Sequence, residues 1–258
     1  MNYQLKDKKV FISGSTKGIG YAAAKTIALE GAEVIINGSS QDSVNTSLEK
    51  LKKETDSKKI SGIACDFSKT EEIDALITQL GSVDVLINNV GIFANKEFFD
   101  TTDEDWQQFY EINVMSGVRL ARALMPKMME KGWGRIIFIS SESALNIPVE
   151  MVHYGMTKTA VLAISRGLAE MTTGTGVTVN SVLPGPTRTE GLEKDVPEDQ
   201  SFEDFQKEFF ENDRPTSILK RFADPQEVAN MIAYVASPLS SATNGAKLKV
   251  EGGVVKYI

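Results

Sequence analysis

Cysteine and histidine are almost absent from this sequence, and their scarcity removes several kinds of site. The chain of 258 residues has one cysteine, Cys65, and one histidine, His153. A single cysteine excludes an intrachain disulfide, and a lone thiol that follows apolar residues is more often packed than reactive. Zinc sites are built mainly from cysteine and histidine, and no carboxylate spacing indicates a calcium loop. We therefore predict a buried Cys65 and no bound metal.

Long apolar runs are also missing. No stretch approaches the roughly 20 apolar residues that a membrane-spanning helix needs, and the first residues, Met1 to Lys6, lack the apolar core of a signal peptide. We expect a cytoplasmic protein that makes no contact with a membrane. Because an open α/β domain of this length is commonly one unit, a single domain is predicted over residues 1–258.

A basic face is the third absence. The net charge is −7, and residues 190–213 alone hold ten acidic residues against two lysines, which leaves +1 for the remainder of the chain. Without a basic stripe, nucleic-acid binding is disfavoured. Four phenylalanines at helical spacing predict one helix inside this acidic stretch, with most carboxylates on a solvated face. They are Phe202, Phe205, Phe209 and Phe210.

What the chain does contain is a regular alternation of short apolar runs and amphipathic stretches. The alternation predicts a doubly wound α/β fold, a parallel sheet of about seven strands with helices on both faces and right-handed crossovers. Strands are predicted at 10–12, 33–37, 59–65, 83–87, 135–139 and 177–183. Thr102 is the expected N-cap of a long helical stretch that bends near Asn113 and ends near Lys131.

A glycine-rich loop follows the first predicted strand. Gly14, Gly18 and Gly20 precede a good helix-forming stretch, so the pattern is strand, turn and helix. Glycine lets backbone amides approach an anion closely, and the start of a helix offers unpaired N–H groups to a pyrophosphate. An ordinary turn is the alternative, and three glycines alone do not decide between the two.

Polar residues follow the later strands, where the carboxyl ends of a parallel sheet share one edge. The four groups are Asp66, the stretch 88–91, the pair Ser140 and Ser141, and the stretch 184–187. Turn chemistry explains any one of them, because Asn, Asp, Ser, Pro and Gly are all favoured there. Four groups at the edge that the glycine loop occupies predict a cofactor cleft.

Tyr154 and Lys158 stand four residues apart and would share one face of a helix. A phenol is too weakly acidic to exchange protons readily near neutral pH, and a neighbouring ammonium favours the phenolate, so we expect Lys158 to lower the pKa of Tyr154. Tyr154 could then act as a general acid or base, while Ser141 holds the substrate oxygen. A surface Tyr/Lys pair is the alternative.

Together these motifs resemble the short-chain dehydrogenase/reductase family over about residues 9–253. The run from Ser13 to Gly20 is similar to that family's Thr-Gly-x-x-x-Gly-x-Gly loop, with serine in place of threonine. The run from Asn88 to Gly91 is similar to its Asn-Asn-Ala-Gly signature, with Val90 in place of alanine. The resemblance implies a Rossmann fold and hydride transfer between a nicotinamide dinucleotide and a carbonyl or alcohol carbon.

The resemblance also implies roles for individual residues. The catalytic set is Tyr154 for proton transfer, Ser141 for orienting the oxygen, Lys158 for supporting the phenol and binding the ribose, and Asn113 for a proton relay. The implied cofactor contacts are Gly14, Ser15, Thr16, Lys17, Gly18, Ile19, Gly20, Ser39, Asp66, Phe67, Asn89, Gly91, Tyr154, Lys158, Pro184, Gly185 and Thr187. Residues 187–221, the lid segment, would cover the substrate, and a homodimer or homotetramer is implied.

The end of the second predicted strand bears on the choice of dinucleotide. It has no carboxylate for an adenosine ribose, and Lys17 could reach a 2′-phosphate, although a solvated lysine is the alternative. NADP(H) is therefore favoured and NAD(H) stays open. Two further functions stay open as well. One is a 3-oxoacyl-carrier-protein-type reductase, whose relatives use basic residues near the entrance that the stretch 171–176 lacks; the other is a catalytically inactive dinucleotide-binding sensor.

Overall fold

The computed structural model describes residues 2–257, which form one parallel sheet of seven strands covered by helices on both faces. The strands are β1 (Lys9–Ile12), β2 (Glu33–Gly38), β3 (Ile60–Ala64), β4 (Val85–Asn88), β5 (Gly134–Ile139), β6 (Val177–Pro184) and β7 (Lys247–Val250). The helices are α1 (Gly18–Leu29), α2 (Gln41–Thr55), α3 (Thr70–Leu80), α4 (Asp103–Tyr110), α5 (Ser116–Lys131), α6 (Val152–Met171), α7 (Phe202–Asn212) and α8 (Pro225–Ala236).

The strand order is β3-β2-β1-β4-β5-β6-β7, and every pair of neighbours is parallel. The order reverses between β1 and β4, which opens a crevice at the carboxyl ends of these two strands, the usual ligand position in such sheets. The predicted doubly wound, single-domain fold is confirmed. The first and last residues of the predicted domain, Met1 and Ile258, lie outside the described residues.

Side-chain alternation along the strands builds two apolar layers, one on each face of the sheet. In β1, Val10 and Ile12 belong to the layer that contains α1 and α8, whereas Phe11 belongs to the layer under α3, α5 and α6. Burial on both faces explains why the central strands β1 and β4 are nearly continuous apolar runs. Cys65 is buried in the second layer, as expected, and burial raises the pKa of its thiol to about 12.

The long helical stretch after β4 begins at the predicted cap and contains the predicted irregularity. The Thr102 hydroxyl accepts a hydrogen bond from the Asp105 backbone, and the Asp105 carboxylate accepts one from the Thr102 backbone, a reciprocal capping box. Between α4 and α5 the chain makes a π-helical turn at Glu111–Met115. Such a turn inserts an extra residue into the helix, and here it contains the buried Asn113.

The lid segment contains the single helix that its phenylalanines predict, α7. Phe205 and Phe209 pack on Phe222, with ring centroids 6.0 and 4.9 Å away, and the acidic residues of α7 are exposed. The two ends of the segment meet where Thr187 pairs with Ala223. Among residues 2–257, no helix combines the length and the apolar character that crossing a bilayer requires.

Candidate active site

The glycine loop between β1 and α1 is too compact for larger residues. Gly14 and Gly18 have φ angles of +60° and +56°, in the left-handed region that favours glycine. A Cβ at Gly20 would lie 2.5 Å from Asn89 Nδ2 and 2.5 Å from the Gly14 carbonyl oxygen. The loop therefore brings backbone amides to the surface at the reversal point of the sheet.

Side chains from neighbouring strands brace this loop. The Ser13 hydroxyl accepts hydrogen bonds from the backbone amides of Asn89 and Val90, at 3.0 and 3.1 Å. In return, Asn89 Nδ2 donates to the carbonyl oxygens of Ser13 and Gly14, at 3.1 and 2.7 Å. Both amide hydrogens of Asn89 are thus committed to the loop. The residue acts here as a brace, a role that the sequence did not indicate.

The loop already binds an anion from its own chain. The Gly18 backbone amide donates to Glu190 Oε2 at 3.0 Å, and the first amides of α1 have no acceptor within the helix. A carboxylate on this amide shows that the start of α1 accommodates negative charge, which is also what a diphosphate needs. The glycine loop therefore fits the diphosphate of a dinucleotide.

The other predicted cofactor residues divide into exposed and buried positions. A Cβ at Gly38 would lie 2.6 Å from Thr16 Cγ2, so the glycine loop packs against the end of β2, next to the exposed Lys17 and Ser39. Asp66 follows β3 at the same edge, where hydrogen bonds from Ser68 lower the pKa of its carboxyl.

Three of the predicted side chains do not face this cleft. The Ser15 hydroxyl is buried and donates to the Ile12 carbonyl at 2.7 Å. Phe67 belongs to the apolar layer under α3 and α5, and Ile19 packs against the opposite layer. For these residues only the backbone is placed to contact a ligand, because the turn and the two cores use the side chains.

The predicted catalytic side chains converge beside the loop after β4. Lys158 Nζ lies 5.6 Å from the Tyr154 ring centroid and donates to the Ile139 carbonyl at 3.0 Å. A Cβ at Gly91 would lie 3.2 Å from Lys158 Nζ and 3.3 Å from Asn113 Oδ1. A side chain at Gly91 would therefore press on the lysine ammonium and the asparagine amide, between which this loop crosses.

Asn113 fastens that loop to α6. Its Oδ1 accepts from the Ile92 amide at 2.8 Å, and its Nδ2 donates to the Ile92 carbonyl and to the Thr157 hydroxyl, both at 3.0 Å. The π-helical turn is what points this side chain at the loop. Asn113 therefore ties the loop after β4 to Thr157, the residue before Lys158 on α6.

The pKa values of Tyr154 and Lys158 differ from those that the sequence predicts. Burial raises the pKa of Tyr154, and the negative charge of Glu142 raises it further, while Ser141 and Arg214 oppose the change. Burial also lowers the pKa of Lys158 to about 8. The expected lowering of the Tyr154 pKa is wrong for this structure, because desolvation of the phenolate is the largest influence and Lys158 is not among the groups that lower it.

Comparison with known proteins identifies the family. The family model described as Enoyl-(Acyl carrier protein) reductase matches residues 14–255. The chain is 32% identical to "Dehydrogenase/reductase SDR family member 4" of Caenorhabditis elegans, over 97% of this chain and 96% of that protein. The protein is a short-chain dehydrogenase/reductase. It is also 47% identical to "Uncharacterized oxidoreductase YvrD" of Bacillus subtilis (strain 168), over the full length of both chains.

Solved structures agree with this placement. The L-sorbose reductase of Gluconobacter frateurii, whose structure contains NADPH and L-sorbose, superposes with a TM-score of 0.91 over 100% of both chains, at 30% identity. Membership in the short-chain dehydrogenase/reductase family makes the chain an oxidoreductase.

In this short-chain dehydrogenase/reductase, the stretch after β6 differs in detail from the sequence-based expectation. Pro184 ends β6, and a Cβ at Gly185 would lie 2.6 Å from Glu251 Cα, so the turn needs glycine. The Thr187 hydroxyl donates to the Gly185 carbonyl at 2.9 Å. Thr189, which was not predicted, faces the glycine loop: its Cγ2 would lie 3.2 Å from a Cβ at Gly18. The only indication of this contact in the sequence is that Thr189 lies two residues after the predicted Thr187.

The structure also reveals a charged pair at the predicted catalytic serine. Ser141 Oγ donates to Glu142 Oε2 at 2.5 Å, and Arg214 Nε donates to Glu142 Oε1 at 2.9 Å. Arg214 is 72 residues from Glu142 in sequence, so no local pattern could indicate the contact. His153, the single histidine of the sequence, is buried and packs edge-on against Phe109, with ring centroids 4.3 Å apart.

Proposed function

We propose that this enzyme reduces a carbonyl substrate with NADPH, using Tyr154 as the general acid. One observation carries the proposal: Tyr154, Lys158, Ser141 and Asn113 gather next to the anion-binding glycine loop, at the edge where the strand order reverses. Hydride transfer to a carbonyl requires a proton donor and a dinucleotide side by side, and this gathering of side chains next to the glycine loop supports both roles.

Each side chain then has a defined task. A bound nicotinamide dinucleotide would supply the hydride that adds to the carbonyl carbon. The Tyr154 hydroxyl donates its proton to the carbonyl oxygen, which becomes the alcohol. Ser141 holds that oxygen, Lys158 stabilises the resulting phenolate, and Asn113 keeps the loop after β4 in place.

The pKa of Tyr154 supports reduction as the favoured direction. Reduction needs a protonated phenol, and the raised pKa keeps Tyr154 protonated across neutral pH. Oxidation of an alcohol needs the phenolate, which the buried site disfavours. The initial rate of carbonyl reduction should therefore exceed the rate of alcohol oxidation at neutral pH, measured with equal saturation of both substrates.

The loops at the ends of β1 and β2 support the preference for NADPH. Glu33–Gly38 ends without a carboxylate, and the next residue, Ser39, is exposed beside the loop that contains Lys17. A 2′-phosphate at this position would meet an ammonium and a hydroxyl instead of a negative charge. The Gluconobacter frateurii reductase, which is similar throughout, contains NADPH.

Replacing Lys17 by methionine is expected to weaken NADPH binding about tenfold, the value of one charge-assisted hydrogen bond, and to leave NADH binding unchanged. The dissociation constants are measured by nicotinamide fluorescence for both dinucleotides. Lys53→Met, an exposed lysine in the last turn of α2, is the matched control. Tighter binding of NADH than of NADPH to the native enzyme would contradict the preference.

Replacing Glu190 by glutamine is expected to tighten NADPH binding about two- to fivefold, because the carboxylate no longer competes for the positive end of α1. The gain should shrink as ionic strength rises. Glu193→Gln is the control, since Glu193 pairs with Arg188 at 2.8 Å elsewhere in the lid segment. Unchanged or weaker binding in Glu190→Gln alone would show that Glu190 does not compete with the diphosphate.

A carrier-linked reductase is the second candidate, favoured by the description of the matching family model. The absence of basic residues from 171–176 no longer counts against it, because this stretch precedes β6 at the sheet edge opposite the site. The exposed acidic face of the lid segment still repels an acidic carrier. The candidates are separated by the rates of NADPH oxidation with L-sorbose, with a β-keto ester, and with a 3-oxoacyl thioester that is either free or carrier-bound. A rate that is highest with the carrier-bound thioester would favour the carrier-linked reductase. NADPH binding without turnover of any of these carbonyl compounds would favour the sensor.

A further inference from the structure

A buried ion pair adjoins the hydroxyl of Ser141. The side chains of Glu142 and Arg214 are 5% and 8% exposed, and Glu142 accepts the hydroxyl hydrogen of Ser141 at 2.5 Å. We propose that Glu142 and Arg214 are positioning residues that set the orientation of the Ser141 hydroxyl according to the position of the lid segment. This inference rests on the proposed function, since it concerns the same reaction.

Glu142 has little capacity left for a substrate. Its Oε2 accepts from the Ser141 hydroxyl, the Ser143 amide at 2.7 Å and the Ser143 hydroxyl at 2.9 Å, and its Oε1 accepts from Arg214. A carboxylate has about four lone-pair sites, and these contacts use most of them. Glu142 therefore acts on the reaction through Ser141.

The direction of the serine proton has a consequence for Tyr154. A hydroxyl has one hydrogen, and that of Ser141 points at Glu142, while the Ser143 amide donates to Ser141 Oγ at 3.1 Å. In this orientation Ser141 offers a lone pair to the Tyr154 hydroxyl, and its hydrogen reaches the substrate oxygen only when the serine hydroxyl turns away from Glu142. Glu142 therefore controls whether Ser141 can donate to the reacting oxygen.

Arg214 links this arrangement to the lid segment. It follows the end of α7 and donates through Nη1 to the Asp213 carbonyl at 2.8 Å. Its guanidinium lies 5.6 Å from the Phe209 ring and 3.8 Å from Glu150 Oε1. Because Arg214 directly follows α7, whose aromatic contacts hold it in place, the position of the lid segment sets where the guanidinium meets Glu142.

The charged groups that face Tyr154 come from three elements. Lys158 lies on its own helix, Glu142 follows β5, and Arg214 follows α7. Of these, Glu142 raises the Tyr154 pKa and Arg214 lowers it. Removing the negative charge of Glu142 should therefore make Tyr154 a stronger acid.

The first test is Glu142→Gln, assayed with NADPH and the most rapidly reduced carbonyl compound of the panel above. Loss of the serine orientation is expected to lower kcat by about 10²-fold, the usual effect of a small misplacement at a reacting centre. The basic limb of the kcat profile should move to lower pH. The dissociation constant of NADPH should stay unchanged, because Glu142 does not contact the glycine loop.

Since breaking a buried ion pair is strongly destabilising, Glu142→Gln needs a partner variant. Glu142→Gln/Arg214→Met removes both charges, and it should fold, bind NADPH and keep the low kcat. Its basic pH limb should lie nearer to the native position, because loss of Arg214 raises the Tyr154 pKa that loss of Glu142 lowers. Glu54→Gln, which breaks the pair with Lys25 at the far end of α2, controls for loss of an ion pair alone. Thermal unfolding and NADPH titration give the folded fraction of every variant.

A readout without turnover comes from tyrosinate absorbance. The difference titration between each protein and its Tyr154→Phe counterpart should show Tyr154 ionising at lower pH in Glu142→Gln. The inference is overturned if kcat per folded molecule, the pH limb and this titration all match the native enzyme. If Tyr154→Phe also retains full turnover, the proposed function is wrong. If Glu142→Gln retains full turnover and Tyr154→Phe does not, the ion pair has only a structural role.

Discussion

Replacing Tyr154 by phenylalanine is expected to lower kcat for carbonyl reduction by about 10²- to 10⁴-fold, the range for loss of a positioned general acid. Phenylalanine keeps the ring, which packs edge-on against Phe93 at 6.5 Å and under the Lys158 ammonium. Only the hydroxyl disappears. The fold and the glycine loop should be unaffected, so NADPH should bind as tightly as before.

The measurement is a steady-state rate of NADPH oxidation at saturating substrate, combined with fluorescence titration of NADPH. Tyr234→Phe, a partly exposed tyrosine on α8, removes a phenol away from the cleft and should leave the rate unchanged. If Tyr154→Phe retained the native rate, proton transfer by Tyr154 would be excluded. If the rate and NADPH binding fell together, the phenol would be needed for binding.

The fold was predictable because its determinants are local in sequence. Continuous apolar runs such as Val34 to Ile36 indicate strands buried on both faces, and their alternation with amphipathic helices leaves few topologies. The bend near Asn113 was predictable too, although its form, a π-helical turn, was not. The hydrogen-bond spacing of such a turn leaves no fixed pattern in the residues.

The candidate site was predictable where chain order alone fixes the geometry. Residues that follow parallel strands must meet at one edge, which is why Ser141, the stretch 88–91 and the glycine loop lie together. Contacts made across the sheet were not predictable. Asn89 braces the glycine loop, and Arg214 reaches Glu142, only because tertiary packing brings distant segments together.

The direction of a pKa shift was the least predictable property. The sequence shows that an ammonium lies one helical turn from the Tyr154 phenol, but it does not show how deeply both are buried. In the structure desolvation is the largest influence on each group, and it acts against the charged form of both. The sequence therefore predicted correctly that Lys158 lies beside Tyr154, and it predicted the wrong direction for the shift of the Tyr154 pKa.

Replacing Lys158 by methionine is expected to abolish most turnover and, without cofactor, to stabilise the protein. The loss of the ammonium should lower kcat by at least about 10²-fold, because the phenolate left by proton transfer has no counter-charge. The gain in stability follows from burial. Lys158 is buried and its pKa falls from 10.5 to about 8, which corresponds to a desolvation cost of about 3 kcal/mol.

Part of this gain is offset, because methionine cannot donate to the Ile139 carbonyl, a hydrogen bond worth about 1 kcal/mol. We therefore expect Lys158→Met to unfold with a free energy about 1 to 2 kcal/mol higher at pH 7. The comparison is made by urea denaturation without cofactor. Asn113 and the loop it holds keep their contacts, since none of those hydrogen bonds involves the ammonium.

The pH dependence of stability separates burial of this charge from other effects of the substitution. Because the folded-state pKa lies below the unfolded value, the unfolded chain binds the Lys158 proton more tightly between pH 8 and pH 10.5. The native enzyme should gain stability relative to Lys158→Met as pH rises through this window, and the advantage of methionine should vanish above it. A constant difference between the two proteins across the window would show that the ammonium is solvated. A stability difference that shrinks between pH 8 and pH 10.5 would identify the buried Lys158 ammonium as its cause, because that group, which the variant lacks, loses its proton earlier in the folded state.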